Sequence, residues 1–161
     1  MTVSLETLSD IPQTRAVHFT SFPYADEANL VDELRAKDSV YSLVAMQNET
    51  VVGHCMFSRM VSPTNTLGLG PVAVLPEFRE QGVADQMIRA GLNLAVQDGW
   101  IGVLSWAIRN IINASGLIPR MPRGSRHPIA APLSWPWLSK KRCLVVFTGA
   151  PNVGLRLIVY R

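Results

Sequence analysis

The sequence predicts an α/β domain built on a largely antiparallel sheet flanked by helices. Three observations carry this. Short runs alternating apolar and polar residues recur along residues 1–104, at the period of a half-buried strand. Helical stretches with apolar residues three and four apart lie before and after the central strand-like runs. The resulting order is β-α-α-β-β-β-α-β, and 161 residues suit one domain with its own core.

Taken in order, "VSLETLS" alternates like a short edge strand. Asp10 is placed to cap a helix through about Thr20, with Pro12 in its first turn, and Phe22-Pro23 breaks it. The second helix is "ADEANLVDELRAK", with Ala28, Leu30, Val31 and Leu34 expected on one apolar face. "SVYSLVAMQ" and "TVVGHCMFSRM" flank "NE" as a hairpin would. "TLGLGPVAVLP" is a strand whose small residues admit close approach to its backbone. A helix over Gly82 to Asp98 follows, closed by Gly99. "WIGVLSW" opens a fifth strand.

Charge divides the chain. Residues 1–104 carry all 12 acidic residues and 6 of the 15 Lys and Arg, a net −6; residues 105–161 carry the other 9 bases and no acid, a net +9. The start, "MTVSLETLSD", is neither basic nor apolar enough for a signal peptide, and no apolar run nears the roughly 18 residues of a membrane span. Cys55 and Cys143 share no ligand spacing with each other or with His18, His54 and His127. A cytoplasmic protein without a structural metal is expected.

The segment that carries chemistry is "GPVAVLPEFREQGVADQMI". Gly82 allows dihedrals other residues resist and a close backbone approach. Residues 79–84 lead into a helix whose first amides lack internal partners, so they suit a phosphate or pyrophosphate. Arg79 adds a charged contact, and Ala84 keeps the approach low. A turn needing glycine for geometry alone is the alternative, since short glycine motifs are frequent. No GxxxxGK[ST] is present, and "GLGPVA" lacks the third glycine of a dinucleotide fingerprint.

The wider pattern decides between these. "V-x-V-L-P-x-F-R-x-x-G-V-A", Val72 to Ala84, resembles the acetyl-CoA motif of the GNAT N-acetyltransferases. "FPYADEANLVDELR" and "SLVAMQNETVVGHCMFS" resemble one bacterial branch acting on small molecules. The likeness covers residues 1 to about 104. It implies a GNAT-like fold and acetyl-CoA as cosubstrate. By position it implies strand backbone at Val72 and Val74 along the acetyl and pantetheine arm, with Arg79, Gln81, Gly82, Val83 and Ala84 around the pyrophosphate. It also implies direct acetyl transfer to an amine of a small molecule or peptide, with no acyl-enzyme. Proximity, a polarising contact, a base and an acid are then required. His54 reads first as a packed structural histidine and second as a base. Glu27 and Glu33 read as a solvated helix face rather than an acceptor site. No residue is assigned as base or acid.

After Leu104 the likeness ends. The family branch continues with a run like "VLGDPxYYxRFGF", whose Tyr is the usual acid; here the chain reads "VLSWAIRNIINASGL". Codon junctions reconcile the two. Taking the last base of each codon with the first two of the next, Trp106–Ala107 must give Gly, and "VLGDPQYYQRFGF" is encodable beneath the tail. The same shift over "APLSWPWLSKKRCL" allows "AAFMALAFEETLP", which resembles the family's later segment. The reading is a one-base frameshift near codon 105, which also accounts for the missing acids. It leaves a basic Pro/Arg/Trp-rich tail at 105–161, with the final family strands lost or replaced and the fifth strand's edge unpaired. "RCLVVFTG" and "GLRLIVYR" have the composition for an accidental hairpin, and Tyr160 is an unsupported substitute acid. Two alternatives remain: a CoA-binding but catalytically impaired protein, and a tail selected to bind nucleic acid through "IPRMPRGSRHP", "SKKR" and Trp106, Trp135 and Trp137. The second lacks any recognisable nucleic-acid fold.

Overall fold

The computed structural model describes residues 1–105, 144–147 and 156–159. The strands are β1 (Thr2–Leu5), β2 (Ser39–Gln47), β3 (Thr50–Arg59), β4 (Thr66–Val74), β5 (Gly102–Ser105), β6 (Leu144–Phe147) and β7 (Arg156–Val159). The helices are α1 (Ile11–Ser21), α2 (Asp26–Lys37) and α3 (Val83–Gln97), with a single 3-10 turn at Pro76–Phe78. Spatial order follows chain order from β1 to β7. Every neighbouring pair is antiparallel except β4 and β5, which run parallel.

Local chemistry explains most boundaries. Asn48 and Glu49, both at positive φ of 47° and 65°, turn β2 into β3 with the twist a two-residue hairpin requires. Asp10 stands at the N-cap of α1, yet its carboxylate does not cap the helix. It accepts instead from Thr7 N–H at 2.8 Å and Thr7 Oγ1 at 2.7 Å, closing the turn before the helix. On α2, Ala28 and Val31 are buried as expected, whereas Leu30 is exposed; its side chain falls off the inward stripe. Gly99, at φ 76°, ends α3.

The core has two layers separated by the sheet. On one face Leu43, Phe57 and Leu67 meet Met87, Ile88 and Leu92 of α3. On the other, Val17 of α1 packs with Val44, Val51 and Ala73. β3 is buried from Val51 to Ser58 because both faces are covered. Gly91 sits mid-helix, where glycine is unfavourable, because a Cβ there would overlap the Phe57 ring. Its absence lets α3 lie close on β3.

The expected bare edge of β5 is not found. β5 pairs along Gly102–Ser105 with Phe147–Leu144 of β6, and β6 pairs with β7. The two strand-like stretches of the tail thus add a hairpin to the sheet. The Pro-rich stretch, Trp106, Trp135, Trp137, His127, Cys143 and Tyr160 lie outside the described residues.

Candidate functional site

β4 and β5 stay in register only over Thr66–Gly68 and Gly102–Leu104. β4 continues to Val74, while β5 is described to Ser105 and pairs on its other edge with β6. A bulge between Cys55 and Phe57 of β3, opposite Gly70 and Pro71, bends β4 just after its paired stretch with β5. Leu75 N–H donates to Val52 on β3 at 2.9 Å. By strand alternation, Val72 and Val74 therefore present backbone groups to the opposite edge, beyond the stretch of β4 that pairs with β5 among the described residues. Their side chains are half-buried against the α3 layer. The carbonyl of Val74 is taken: Ser21 Oγ donates to it at 3.1 Å and Arg79 Nε at 3.1 Å.

The 3-10 turn carries the chain from β4 to the start of α3. Glu80 and Gly82 both have positive φ, 61° and 77°. Nothing lies within 4 Å of a Cβ built on Gly82, so the backbone angle, not close packing, is what calls for glycine there. The first helical bond is Gln86 N–H to Gly82 O at 3.0 Å, and the amides of residues 80–85 have no backbone acceptor. They gather at the positive end of α3. Val83 is buried in the core, Ala84 half-buried, and Gln81 and Gly82 exposed. Gln81 donates its side-chain amide to Glu77 O at 2.7 Å. Arg79 does not reach forward: besides Val74 it holds Ser21 O at 3.4 Å, tying β4 to the end of α1. Glu80 is exposed, as its charge requires beside an anion site. The Asp85 carboxylate is drawn along the helix by Arg89 Nε at 2.8 Å.

On the face opposite α3, a buried polar chain runs behind β4. His54, in register with Ala73, is fully buried, as is His18 of α1. His18 Nε2 meets His54 Nδ1 at 2.8 Å, and His54 Nε2 meets Ser42 Oγ at 2.8 Å. Ser42 donates to Glu6 at 2.6 Å, and Arg35 grips both carboxylate oxygens at 3.0 and 2.8 Å. Arg35 also holds Asp32 at 2.7 Å, and Asp32 pairs with Arg15. Burial pushes the Glu6 carboxyl up, but hydrogen bonds led by Arg35 outweigh it and hold it below the usual value. Burial, aided by Arg35, depresses His18 to about 4. Burial and His18 likewise depress His54.

His54 is therefore a bonded core histidine, the reading its alternating strand favoured. Sequence reasoning did not find the chain it belongs to, whose members come from four elements and the residue after β1, between residues 6 and 54. Glu33 is exposed and Glu27 half-buried. The Cys55 thiol is fully buried, and burial pushes its pKa up. No group of three or more His, Cys, Asp or Glu with metal-binding placement occurs among the described residues. No described helix is long and apolar enough to cross a membrane.

The described geometry is a strand that leads through a glycine into a helix whose first amides are unbonded. Residues 8–114 match the model of the Acetyltransferase (GNAT) family, and the chain belongs to that family. It is 36% identical over 93 residues to the uncharacterized N-acetyltransferase YjhQ of Escherichia coli (strain K12), covering 52% of this chain and 51% of that protein. The chain thus spans about half the length of this curated relative. Among solved structures, the GNAT N-acetyltransferase YhbS of Escherichia coli in complex with CoA is 29% identical. Its TM-score is 0.66, over 71% of this chain and 67% of that one. A GNAT acetyltransferase from Brucella melitensis in complex with acetyl-CoA is 28% identical, with a TM-score of 0.65, over 79% and 96%.

Proposed function

We propose that this protein binds acetyl-CoA at Val72–Ala84 and transfers its acetyl group directly to an amine of a small molecule or peptide. The observation that carries the reading is the set of uncommitted amides at residues 80–85, beside the end of β4 that no described strand pairs on its outer edge. A diphosphate needs many N–H donors without an opposing charge, and here Asp85 is neutralised by Arg89 while Glu80 faces solvent. The residues fit the group.

In this reading the amides of Gln81, Gly82, Val83 and Ala84 hold the diphosphate, assisted by the helix dipole. The backbone groups of Val72 and the amide of Val74 pair with the pantetheine arm as a strand neighbour would; the Val74 carbonyl is already held by Ser21 and Arg79. Arg79 acts through structure: it fixes Val74 and the end of α1, so the two sides of the cleft keep their spacing. The bound thioester supplies an activated acetyl carbon; the protein supplies orientation and exclusion of water.

The test is CoA binding by calorimetry, together with thiol release from acetyl-CoA over a panel of primary amines. Binding with turnover supports the transferase. Binding without turnover on any amine selects the impaired CoA-binding alternative. Nucleic-acid affinity that falls steeply with salt and vanishes on removing residues 105–161 would select the basic-tail reading.

The boundary near Leu104 belongs to the same proposal. Residues 1–104 form the acetyl-CoA-binding core, and 105–161 read as a tail out of frame with the ancestral gene. A fresh read of codons 100–120, with the intact mass of the native protein, decides it. A recovered base restoring the family run makes the tail an error. A confirmed sequence with matching mass makes it real.

A further inference from the structure

Ser21 closes α1 and is half-buried. A serine within a helix commonly bonds a backbone carbonyl of the preceding turn. Here the hydroxyl reaches across the fold and donates to Val74 O at 3.1 Å. The Ser21 carbonyl, left without a helical partner by its position, accepts from Arg79 at 3.4 Å. Arg79 Nε in turn donates to Val74 O at 3.1 Å. Ser21, Val74 and Arg79 thus close a ring of three hydrogen bonds, and both lone pairs of the Val74 carbonyl are engaged. Among the described residues no other hydrogen bond joins α1 to residues 74–82.

The ring lies where the loop before α3 begins. Residues 75–81 bond largely to themselves: Phe78 N–H to Leu75 O at 2.9 Å, Arg79 N–H to Pro76 O at 3.3 Å, and the Gln81 side-chain amide to Glu77 O at 2.7 Å. Such a segment moves as one piece. Leu75 N–H fixes it to Val52 of β3 at 2.9 Å, and Phe78 packs against the core on the α3 side. Its α1 side is held by Ser21. A guanidinium at the negative end of a helix is favourable in itself, so the ring keeps Arg79 against α1, and the turn Glu80–Gly82 departs from a fixed point.

We propose that Ser21 is a positioning residue for the cofactor: it pins residues 75–82 to α1, so that the amides at the start of α3 are pre-set for the diphosphate. This rests on the acetyl-CoA reading. Diphosphate affinity depends on several amides converging on one anion, and a loop free to rock would lose that freedom at every binding event. Ser21 removes the loss without touching the ligand. It also leaves the Val74 carbonyl no capacity for a ligand donor, so an arm beside β4 meets Val74 through its N–H alone.

Ser21→Ala in the full chain tests the pin. Phe78 and Val83 still hold the loop on the core, so the melting temperature should shift by no more than roughly 5 °C. CoA affinity by calorimetry should fall roughly 3- to 10-fold, the worth of about one net hydrogen bond. The KM for acetyl-CoA should rise in step, while kcat with a given amine holds within about twofold. Ser21→Thr, which keeps the hydroxyl, should restore affinity. In an Arg79→Gln background Ser21→Ala should cost less than it does alone, because the ring is already broken. Without ligand, hydrogen exchange at the amides of Phe78 and Arg79 should be faster in Ser21→Ala than in wild type.

Unchanged CoA affinity in Ser21→Ala, a loss that threonine does not restore, or unchanged exchange at Phe78 and Arg79 overturns the proposal. A wild type that binds no CoA overturns the acetyl-CoA reading instead, and the exchange rates, taken without ligand, separate that failure from a loop that Ser21 does not hold.

Discussion

The rings of His18 and His54 meet edge to face, with centroids 4.9 Å apart and planes at 72°, joined nitrogen to nitrogen at 2.8 Å. Two imidazoles so placed can share one hydrogen while both are neutral. A proton added to His54 would turn two donors toward each other, in line with His18 lowering the basicity of His54.

That pair sets an acid limit on stability. Burial depresses His18 to about 4 from an ordinary 6.5, so between those values the unfolded chain binds the extra proton. Stability is full above about pH 6.5 and falls as pH drops toward 4, by roughly 2 to 3 kcal/mol for His18. Glu6, held low in the fold, contributes stability that is lost on acidification below its ordinary value, in the same direction. Urea unfolding should show a lower midpoint at pH 5 than at pH 7. An unchanged midpoint would contradict a neutral buried pair.

Gly82→Ala isolates backbone conformation from space. The added methyl meets nothing, but the φ of 77° is strained for alanine by roughly 1 kcal/mol. Thermal stability should fall slightly, while CoA affinity measured by calorimetry falls more, because relaxing φ re-aims the amides at the start of α3. Equal affinity would separate this loop from ligand binding.

Gly91→Ala should destabilise although alanine is the better helix former by about 1 kcal/mol. Overlap with Phe57 is expected to cost about 1–3 kcal/mol, read as a net drop in the urea midpoint. Phe57→Leu in the same chain should recover part of it. A stabilised Gly91→Ala would mean that α3 can move away from β3 freely.

Arg79→Gln tests the clamp. It removes guanidinium bonds to Val74 O and Ser21 O at an exposed position, so stability should change by less than about 1 kcal/mol. The KM for acetyl-CoA should rise several-fold as the cleft loses its spacing. A direct diphosphate contact would instead make affinity strongly salt-dependent and leave the α1 end unmoved.

What could be read from residues alone follows from distance along the chain. The hairpin at Asn48–Glu49, the glycine before α3 and the alternating strands are local signals, and each appears where expected. Leu30 failed because apolar spacing on α2 admits two faces, and only packing chooses between them. The bend in β4 comes from a bulge opposite Met56, which no residue pattern announces. The Glu6–Ser42–His54–His18 chain was invisible for a similar reason: its partners lie 12 to 36 residues apart, and each looks ordinary in its own neighbourhood. Arg79 was read as a diphosphate contact, whereas its side chain folds back onto the carbonyls of Val74 and Ser21.

The short register between β4 and β5 has a mechanical consequence. Among the described residues, three residue pairs join β4 to β5, so the described sheet is held together there by a short ladder, with α3 packed on one flank. A molecule lying along the rest of β4 would act as a removable rung, stapling the two halves and making the whole sheet unfold as one. Heat resistance should then climb with the logarithm of ligand concentration, and hydrogen exchange should slow first in β4 and β5.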